Sequence, residues 1–235
     1  MSGAGGDGAA DGIAAVCHGI RVPAGPHLGP RMIASMGEGR YEAGEIAGGL
    51  AVIPEGARIL ELGAGAGVVG AVIATRRRAS AVLSVEANPN LIPYVRRLHA
   101  LNGLEGVMSV EHGVVLTAPA PPATVTFHLT GNFLGSSLTD TRPGRTRPVE
   151  VPVIPYAALR ARFPHDAIVM DIEGGELDFL RHADLTGVNA FVAEFHRDIY
   201  GKEGARECMR LLDRAGLKFR EDASGGGVRA FSRAA

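Results

Sequence analysis

Apolar residues in this chain fall into short unbroken runs, separated by segments with a helical period. That is the pattern of strands buried on both faces, with helices covering them. Runs at Arg58–Leu62, Ala81–Val85, Val107–Glu111, Ala167–Ile172 and Ala190–Phe195 predict five such strands. Helices are predicted at Val68–Arg77, from Asn88-Pro89-Asn90 to about Leu101, at Tyr156–Arg162, at Asp178–His182 and at Gly204–Ala215. Asn102-Gly103 and Gly216 act as stop signals for two of them. Strand and helix in alternation predict an α/β fold with a doubly wound, mostly parallel sheet. The pattern lapses between His112 and Pro152, where no helical period survives. Val125–Leu129 and Val149–Val153 read as strands around the polar stretch Gly131–Pro148, so a β-rich insertion of about residues 113–153 is predicted after the third strand. Two last runs, Leu217–Arg220 and Val228–Phe231, flank Ser224-Gly225-Gly226-Gly227 and predict a C-terminal antiparallel pair.

Ahead of the first strand the signal is weaker. Residues 1–12, MSGAGGDGAADG, carry no hydrophobic period and read as a disordered tail. Ile13–Arg40 mixes apolar residues with Gly and Pro and is expected to pack over the core, and Ala43–Leu50 reads as a short helix. Residues 13–56 are therefore taken as an N-terminal extension and 57–235 as one domain. With 235 residues and 46% hydrophobic content, one substantial core is expected. A formal net charge of −1 gives no bulk attraction to nucleic acid or to an anionic membrane, and neither partner is expected. Cys17 and Cys208 have no metal or redox spacing and read as reduced thiols. With no apolar run of membrane-spanning length and no leader pattern, the expected location is cytoplasmic.

The candidate chemistry centres on Ala57–Gly70, ARILELGAGAGVVG. A strand, a glycine turn and a helix N-terminus let a ligand reach backbone N–H groups directly. Glu61, Glu86, Asp171 and Glu194 each stand at or near the carboxyl end of an apolar run, where open α/β sheets bind ligands. Glu86 follows the glycine turn by about twenty residues, the position at which an acid accepts ribose hydroxyls. The glycines parse in two ways. Gly65-Ala66-Gly67-Val68-Val69-Gly70 fits the dinucleotide fingerprint GxGxxG. Glu61-Leu62-Gly63-Ala64-Gly65-Ala66-Gly67 fits E-x-G-x-G-x-G, the loop of S-adenosylmethionine-dependent methyltransferases. The second parse is favoured because Glu61 is placed to receive an ammonium, directly or through water, whereas it would repel a pyrophosphate.

Beyond that loop the chain resembles the FkbM-type methyltransferases over about Gly39 to Glu221. The matching pieces are Gly39-Arg40-Tyr41-Glu42, the glycine loop, Val85-Glu86-Ala87-Asn88-Pro89, Leu101-Asn102-Gly103, Val151-Pro152-Val153, Asp171-Ile172-Glu173-Gly174-Gly175-Glu176 and Val192-Ala193-Glu194-Phe195-His196. The chain departs from the family pattern at Ala87, Tyr156-Ala157 and Val169. The resemblance implies a Rossmann-like fold, S-adenosylmethionine as methyl donor and O-methylation of a hydroxyl on a sugar, polyketide or other small natural product. It places cofactor contacts at Tyr41, Glu42, Glu61, Gly63, Ala64, Gly65, Gly67, Glu86, Ala87, Asn88, His112, Gly113 and Asp171. Asp171, Glu173 and His196 are the candidates for the base that removes the hydroxyl proton. The remaining histidines read as structural. Asp171, Glu173 and Glu176 have a composition suited to a hard cation. In a strand, however, 171 and 173 share a face while 176 lies beyond Gly174-Gly175, so no metal is expected. Two rivals remain: a nicotinamide-dependent oxidoreductase using Gly65–Gly70 and Glu86, and a non-catalytic S-adenosylmethionine-binding scaffold.

Overall fold

The computed structural model describes residues 12–131, 135–140 and 143–233, so the tail expected at residues 1–12 lies, apart from Gly12, outside the described residues. At its centre is a seven-stranded sheet. Five strands run parallel: β3 (Arg58–Leu62), β4 (Ala81–Glu86), β5 (Met108–His112), β9 (Ala167–Met170) and β10 (Ala190–Glu194). The pair β11 (Leu217–Phe219) and β12 (Val228–Arg233) closes one edge, β12 lying antiparallel to β10, in the order β11-β12-β10-β9-β3-β4-β5. The order reverses between β3 and β9. That switch point is where open α/β sheets leave a crevice outside the strand ends.

Alternation along each strand divides the core into two layers. Ile59, Val82, Val169 and Val192 face one cluster, which also buries α2 (Ala43–Val52) and α3 (Val68–Arg76). Leu60, Leu83, Ile168 and Phe191 face the other, with Tyr156 and Leu159 of α5 (Tyr156–Arg162), Leu177 and Phe179 of α6 (Glu176–His182), and Cys208 and Leu212 of α7 (Arg197–Arg214). Both faces of these strands are covered, which is why they read as continuous apolar runs rather than alternating ones.

The N-terminal extension packs on this core as expected, but through structure its sequence did not announce. β1 (Ile13–Cys17) and β2 (Ile20–Pro23) form a hairpin, followed by α1 (Pro30–Gly37). The hairpin turns on His18 and Gly19, at φ 48° and 92°, the double left-handed turn that Asn-Gly would have advertised. It is clamped to α4 (Ile92–Leu101) by the Tyr94 hydroxyl on the Pro23 carbonyl at 2.7 Å, and by Asn102, which pairs with the Arg21 backbone through both amide atoms at 2.8 Å.

The insertion is β-rich. β6 (Val114–Leu116) runs parallel and β7 (Thr124–Leu129) antiparallel to β8 (Arg147–Pro155), and Phe127, Leu129 and Val151 give it a small core of its own. Two boundaries differ from expectation. The strand expected to reach Ile172 ends at Met170, because Glu173 and Gly174 turn the chain back at φ 51° and 102°. The helix expected from Gly204 starts at Arg197 and is broken at Gly201, φ 71°, which hid its first turn from a periodicity reading. Among the described residues no helix is long and apolar enough to cross a membrane.

Candidate cofactor and active site

A pocket of about 440 Å³ opens at the carboxyl ends of β3, β4 and β9, roofed by the insertion. Its floor is the glycine turn. Gly63 and Ala64 donate to the Val85 carbonyl at 2.9 and 3.3 Å, and Gly67 donates to Ala64 at 2.7 Å, which ties the loop to the end of β4. Gly63 has φ 84°, and a Cβ built on it would overlap the Asp171 carbonyl oxygen and stand 2.8 Å from its carbon. Gly67, the N-cap of α3 at φ 75°, faces Val95 of α4 rather than the pocket, so its role is helix packing.

The two acids flanking the turn are held differently. In the parallel register Glu61 lies beside Ser84, and the Ser84 hydroxyl donates to its carboxylate. The carboxylate is tucked under the start of α3, where a Cβ on Gly70 would stand 2.6 Å from Glu61 Cδ. Burial pushes Glu61 up to about 7, against the lowering effect of Ser84 and the Gly70 N–H. Glu86 accepts the Gly65 N–H at 2.8 Å on one oxygen and the Asn88 N–H at 2.7 Å on the other, and burial raises it to about 6. Each carboxylate oxygen has a second lone pair, so Glu86 still has capacity for two hydroxyls. Asn88 is itself buried and caps its own turn by accepting from Asn90; its side chain belongs to a neighbouring groove. His112 bonds the Ala87 carbonyl at 3.1 Å through Nε2 and fixes the β4 and β5 ends together. Gly113 is small because Ile154 of β8 crosses it, 2.7 Å from where a Cβ would be.

The second acid group lies across the pocket. Asp171 follows β9, and its carboxyl is raised well above the usual carboxylate range by burial and by the charge of Glu173, with His196 acting in the opposite sense. Tyr41 and Glu42 line the wall beside it, and burial, then the charges of Glu42 and Asp171, hold the Tyr41 phenol protonated. Glu42 sits at the N-cap of α2 in a left-handed conformation, φ 45°. Its carboxyl is raised by burial and by Glu194 and Glu173. Three residues on, Glu45 is 5% exposed and pushed up to about 7 by burial and by Glu42.

Of the sequence-predicted residues, Tyr41, Glu42, Glu61, Gly63, Ala64, Gly65, Glu86, Ala87, Gly113, Asp171 and Glu173 line this one pocket. Gly67, Asn88 and His112 stand behind it, and His196 is set back against Asp171 and Glu173 at 3.7 and 3.3 Å. Glu45 escaped the sequence reading, although it is the only charged residue in the otherwise apolar helix Ala43–Val52, which was the available signal. The wall formed by Val115, Leu116, Phe127 and Phe179 also escaped it, because pairing within the insertion brings those positions together. The separation expected between Glu176 and the other acids is corrected by the turn at Glu173-Gly174. Glu176 comes back to 3.0 Å from His196 Nδ1, and oxygen and nitrogen atoms of Asp171, Glu176 and His196 lie within 4.8 Å of one another. Glu176 Oε1 is engaged by a ring nitrogen and two backbone N–H groups, whereas Glu176 Oε2 and Asp171 Oδ1 are buried without a hydrogen-bond partner among the described residues.

Raised carboxylates set a pH signature. Glu45, Glu61 and Glu86 have folded values above their ordinary 4.5, so the stability they contribute is full below that value and is lost as pH rises through about 6–7. His99, pushed down to about 4 by burial, has the opposite sign and destabilises below its ordinary 6.5. Three carboxyls outweigh one histidine, so thermal unfolding of the ligand-free chain should show a Tm that falls as pH rises from about 5 to 8. Two carboxyls at about 7 forfeit about 1.5 kcal/mol between pH 6.5 and pH 8, a fall in Tm of about 5 °C. A Tm that is flat or rising over that interval contradicts the assigned burial.

The profile of the methyltransferase FkbM domain matches residues 56–219. No curated protein matches the chain. Solved structures of similar fold include an uncharacterized protein from Listeria monocytogenes serotype 4b, with 13% identity, TM-score 0.49, and coverage of 80% of this chain and 66% of that one. The precorrin-6y C5,15-methyltransferase of Geobacter metallireducens has 10% identity, TM-score 0.47, and coverage of 83% and 89%. Trm5b of Pyrococcus abyssi has 15% identity, TM-score 0.49, and coverage of 99% and 60%. The profile spans well over half of the residues, with the glycine turn, Glu86, Asp171, Glu176 and His196 all inside it. The chain belongs to the FkbM methyltransferase family.

Proposed function

We propose that the chain transfers a methyl group from S-adenosylmethionine to a hydroxyl of a small molecule. One observation supports this most directly: the pocket is built for positive charge. Its lining carries Glu42, Glu45, Glu61, Glu86, Asp171, Glu173 and Asp178, against Arg181 as the one permanently cationic side chain among its described lining residues. A nicotinamide dinucleotide would have to place its pyrophosphate at the start of α3, where Glu61 already lies beside the Gly70 N–H. A donor with a sulfonium and an ammonium suits the same place. Gly63, Ala64 and Gly65 line the pocket and offer it backbone contact.

In this reading Glu86 accepts the ribose hydroxyls, Glu61 faces the amino-acid end, and Ala87 and Gly113 border the base. When bound, the donor supplies a methyl carbon open to in-line attack by oxygen. The protein's own part is to align the acceptor and to take its proton. Holding two reactants in line can lower a barrier by roughly 7–11 kcal/mol. Proton removal adds roughly 10²–10⁴-fold. Asp171, half-buried at the pocket edge and raised in pKa, has the affinity for a proton that such a base needs. The apolar wall of Val115, Leu116, Phe127 and Phe179 offers contact to the carbon skeleton of a natural-product acceptor.

Calorimetry with S-adenosylhomocysteine and with NADH tests the cofactor. Binding of the first and not the second is expected, and the reverse result returns the oxidoreductase. A methyl-transfer assay over a panel of hydroxylated small molecules tests the reaction. Cofactor binding without transfer to any of them would leave the scaffold reading in place.

A further inference from the structure

The segment Asp171-Ile172-Glu173-Gly174-Gly175-Glu176 is wrapped around the carboxylate that ends it. Glu176 is fully buried, and its Oε1 accepts the Ile172 N–H at 3.3 Å, the Gly174 N–H at 3.1 Å and Nδ1–H of His196 at 3.0 Å. The turn that makes this possible needs Gly174, at φ 102°, against the side chain of Ile199. On the other edge of the ring, Nε2 faces Glu173 Oε2 at 3.3 Å and Asp171 Oδ1 at 3.7 Å.

Both ring nitrogens therefore look at carboxylate oxygens, which only accept hydrogen bonds when ionised. A neutral imidazole has one N–H and would turn a bare lone pair toward one of these oxygens. A doubly protonated ring presents an N–H to the carboxylates on both edges. We propose that Glu176 is a positioning residue: together with Glu173 and Asp171 it fixes His196 as an imidazolium, a standing counter-charge, so that the acceptor's proton goes to the Asp171 carboxylate and not to the histidine. This rests on the methyl-transfer reading for the identity of the proton donor, and on geometry alone for the state of the ring.

The charges around the ring agree. Burial opposes a charge on His196, but the hydrogen bonds of Glu173 and Glu176 and the charges of Glu176 and Asp171 outweigh it and push the ring up to about 11. Tyr200, one turn into α7, is held protonated by burial and by the charge of Glu176 behind it. Glu194 on β10 and Glu42 at the start of α2 act on the same group through Asp171. No cationic side chain among these competes with the ring for the three carboxylates. His196 also sits at the N-cap of α7, where a helix end disfavours a cation. The ring is therefore charged because of its carboxylates and would lose that charge with them.

The consequence for chemistry is a division of labour. A cation that never gives up its proton at working pH is no base, but it lets Asp171 and Glu173 remain close together. The atoms balance simply. As the oxygen–methyl bond forms and the sulfur–methyl bond breaks, the hydroxyl proton passes to Asp171, and the ring keeps both of its own.

The test is the titration of His196 by NMR in protein labelled on histidine, with the His196→Gln variant used to assign its signal. The wild-type ring should stay doubly protonated to about pH 9. Glu176→Gln should lower its pKa by roughly 1–3 units, the size expected for loss of an adjacent opposite charge. A wild-type ring that titrates near the ordinary 6.5 overturns the proposal, as does a Glu176→Gln ring that is unmoved. Should Glu176→Gln not fold, Glu173→Gln removes charge from the Nε2 side and must shift the ring in the same direction. If S-adenosylhomocysteine fails to bind, the methyl-transfer reading falls while the titration still decides the state of the ring.

Discussion

Gly63→Ala is expected to abolish cofactor binding and to destabilise the chain by roughly 3 kcal/mol or more. Two costs coincide at this position. The backbone is at φ 84°, which costs a residue with a Cβ about 1–2 kcal/mol. The new carbon also overlaps the Asp171 carbonyl, a backbone atom of the neighbouring strand end that cannot swing aside. Relief requires the glycine turn to move away from β9, which moves the pocket floor away from Asp171. Gly56→Ala is the internal control. Gly56 has a similar φ of 76° with nothing within 4 Å of a Cβ, so it should show the strain alone. Denaturant unfolding gives the two stabilities, and calorimetry with S-adenosylhomocysteine gives the affinities, with a loss of about 100-fold or more for Gly63→Ala and little change for Gly56→Ala. Equal losses for the two variants would mean that the close approach of β3 and β9 is not what shapes the site.

That contrast also explains what was legible in the sequence. The glycine turn was readable because backbone demands leave a residue-type signature: no other residue fits at Gly63. The parallel sheet was readable because strands covered on both faces produce unbroken apolar runs, and Arg58–Leu62 begins and ends where its pattern does. The strand-end acids were readable one by one, since an acid next to a buried run needs an explanation. Their partners were not. Ser84 meets Glu61 through strand register, and Glu176 meets His196 across twenty residues and a left-handed turn. Periodicity carries no information about either. His18-Gly19 makes a tight hairpin with a residue pair that is not a familiar turn signal, and the β6–β8 pairing joins segments almost forty residues apart. Local pattern gives elements, and long-range pairing gives the walls of the site. This is why the glycine-turn side of the pocket was named more fully than the wall formed by the insertion.

Asp171→Asn should separate catalysis from stability. Asparagine has the same shape and can still face the His196 ring, but it cannot take a proton. Turnover is expected to fall by roughly 10²–10⁴-fold, the contribution of a positioned base. Affinity for S-adenosylhomocysteine should stay within a few-fold, because the glycine turn, Glu61 and Glu86 are untouched. Stability should move the other way. Burial and the charge of Glu173 disfavour the ionised form of Asp171, so the folded state is strained by that charge above the ordinary carboxylate range. Removing it should raise Tm at pH 8 and have a smaller effect at pH 5, where the wild-type carboxyl is closer to neutral. A dead enzyme that is more stable than its parent is the signature of a group kept for chemistry at a cost to the fold. A residue serving only structure predicts the reverse, lost stability with turnover retained, because the Asp171 side chain would then be a contact and not a base. Single-turnover methyl transfer and thermal unfolding on the same two proteins distinguish these outcomes, and unchanged turnover removes Asp171 from the mechanism.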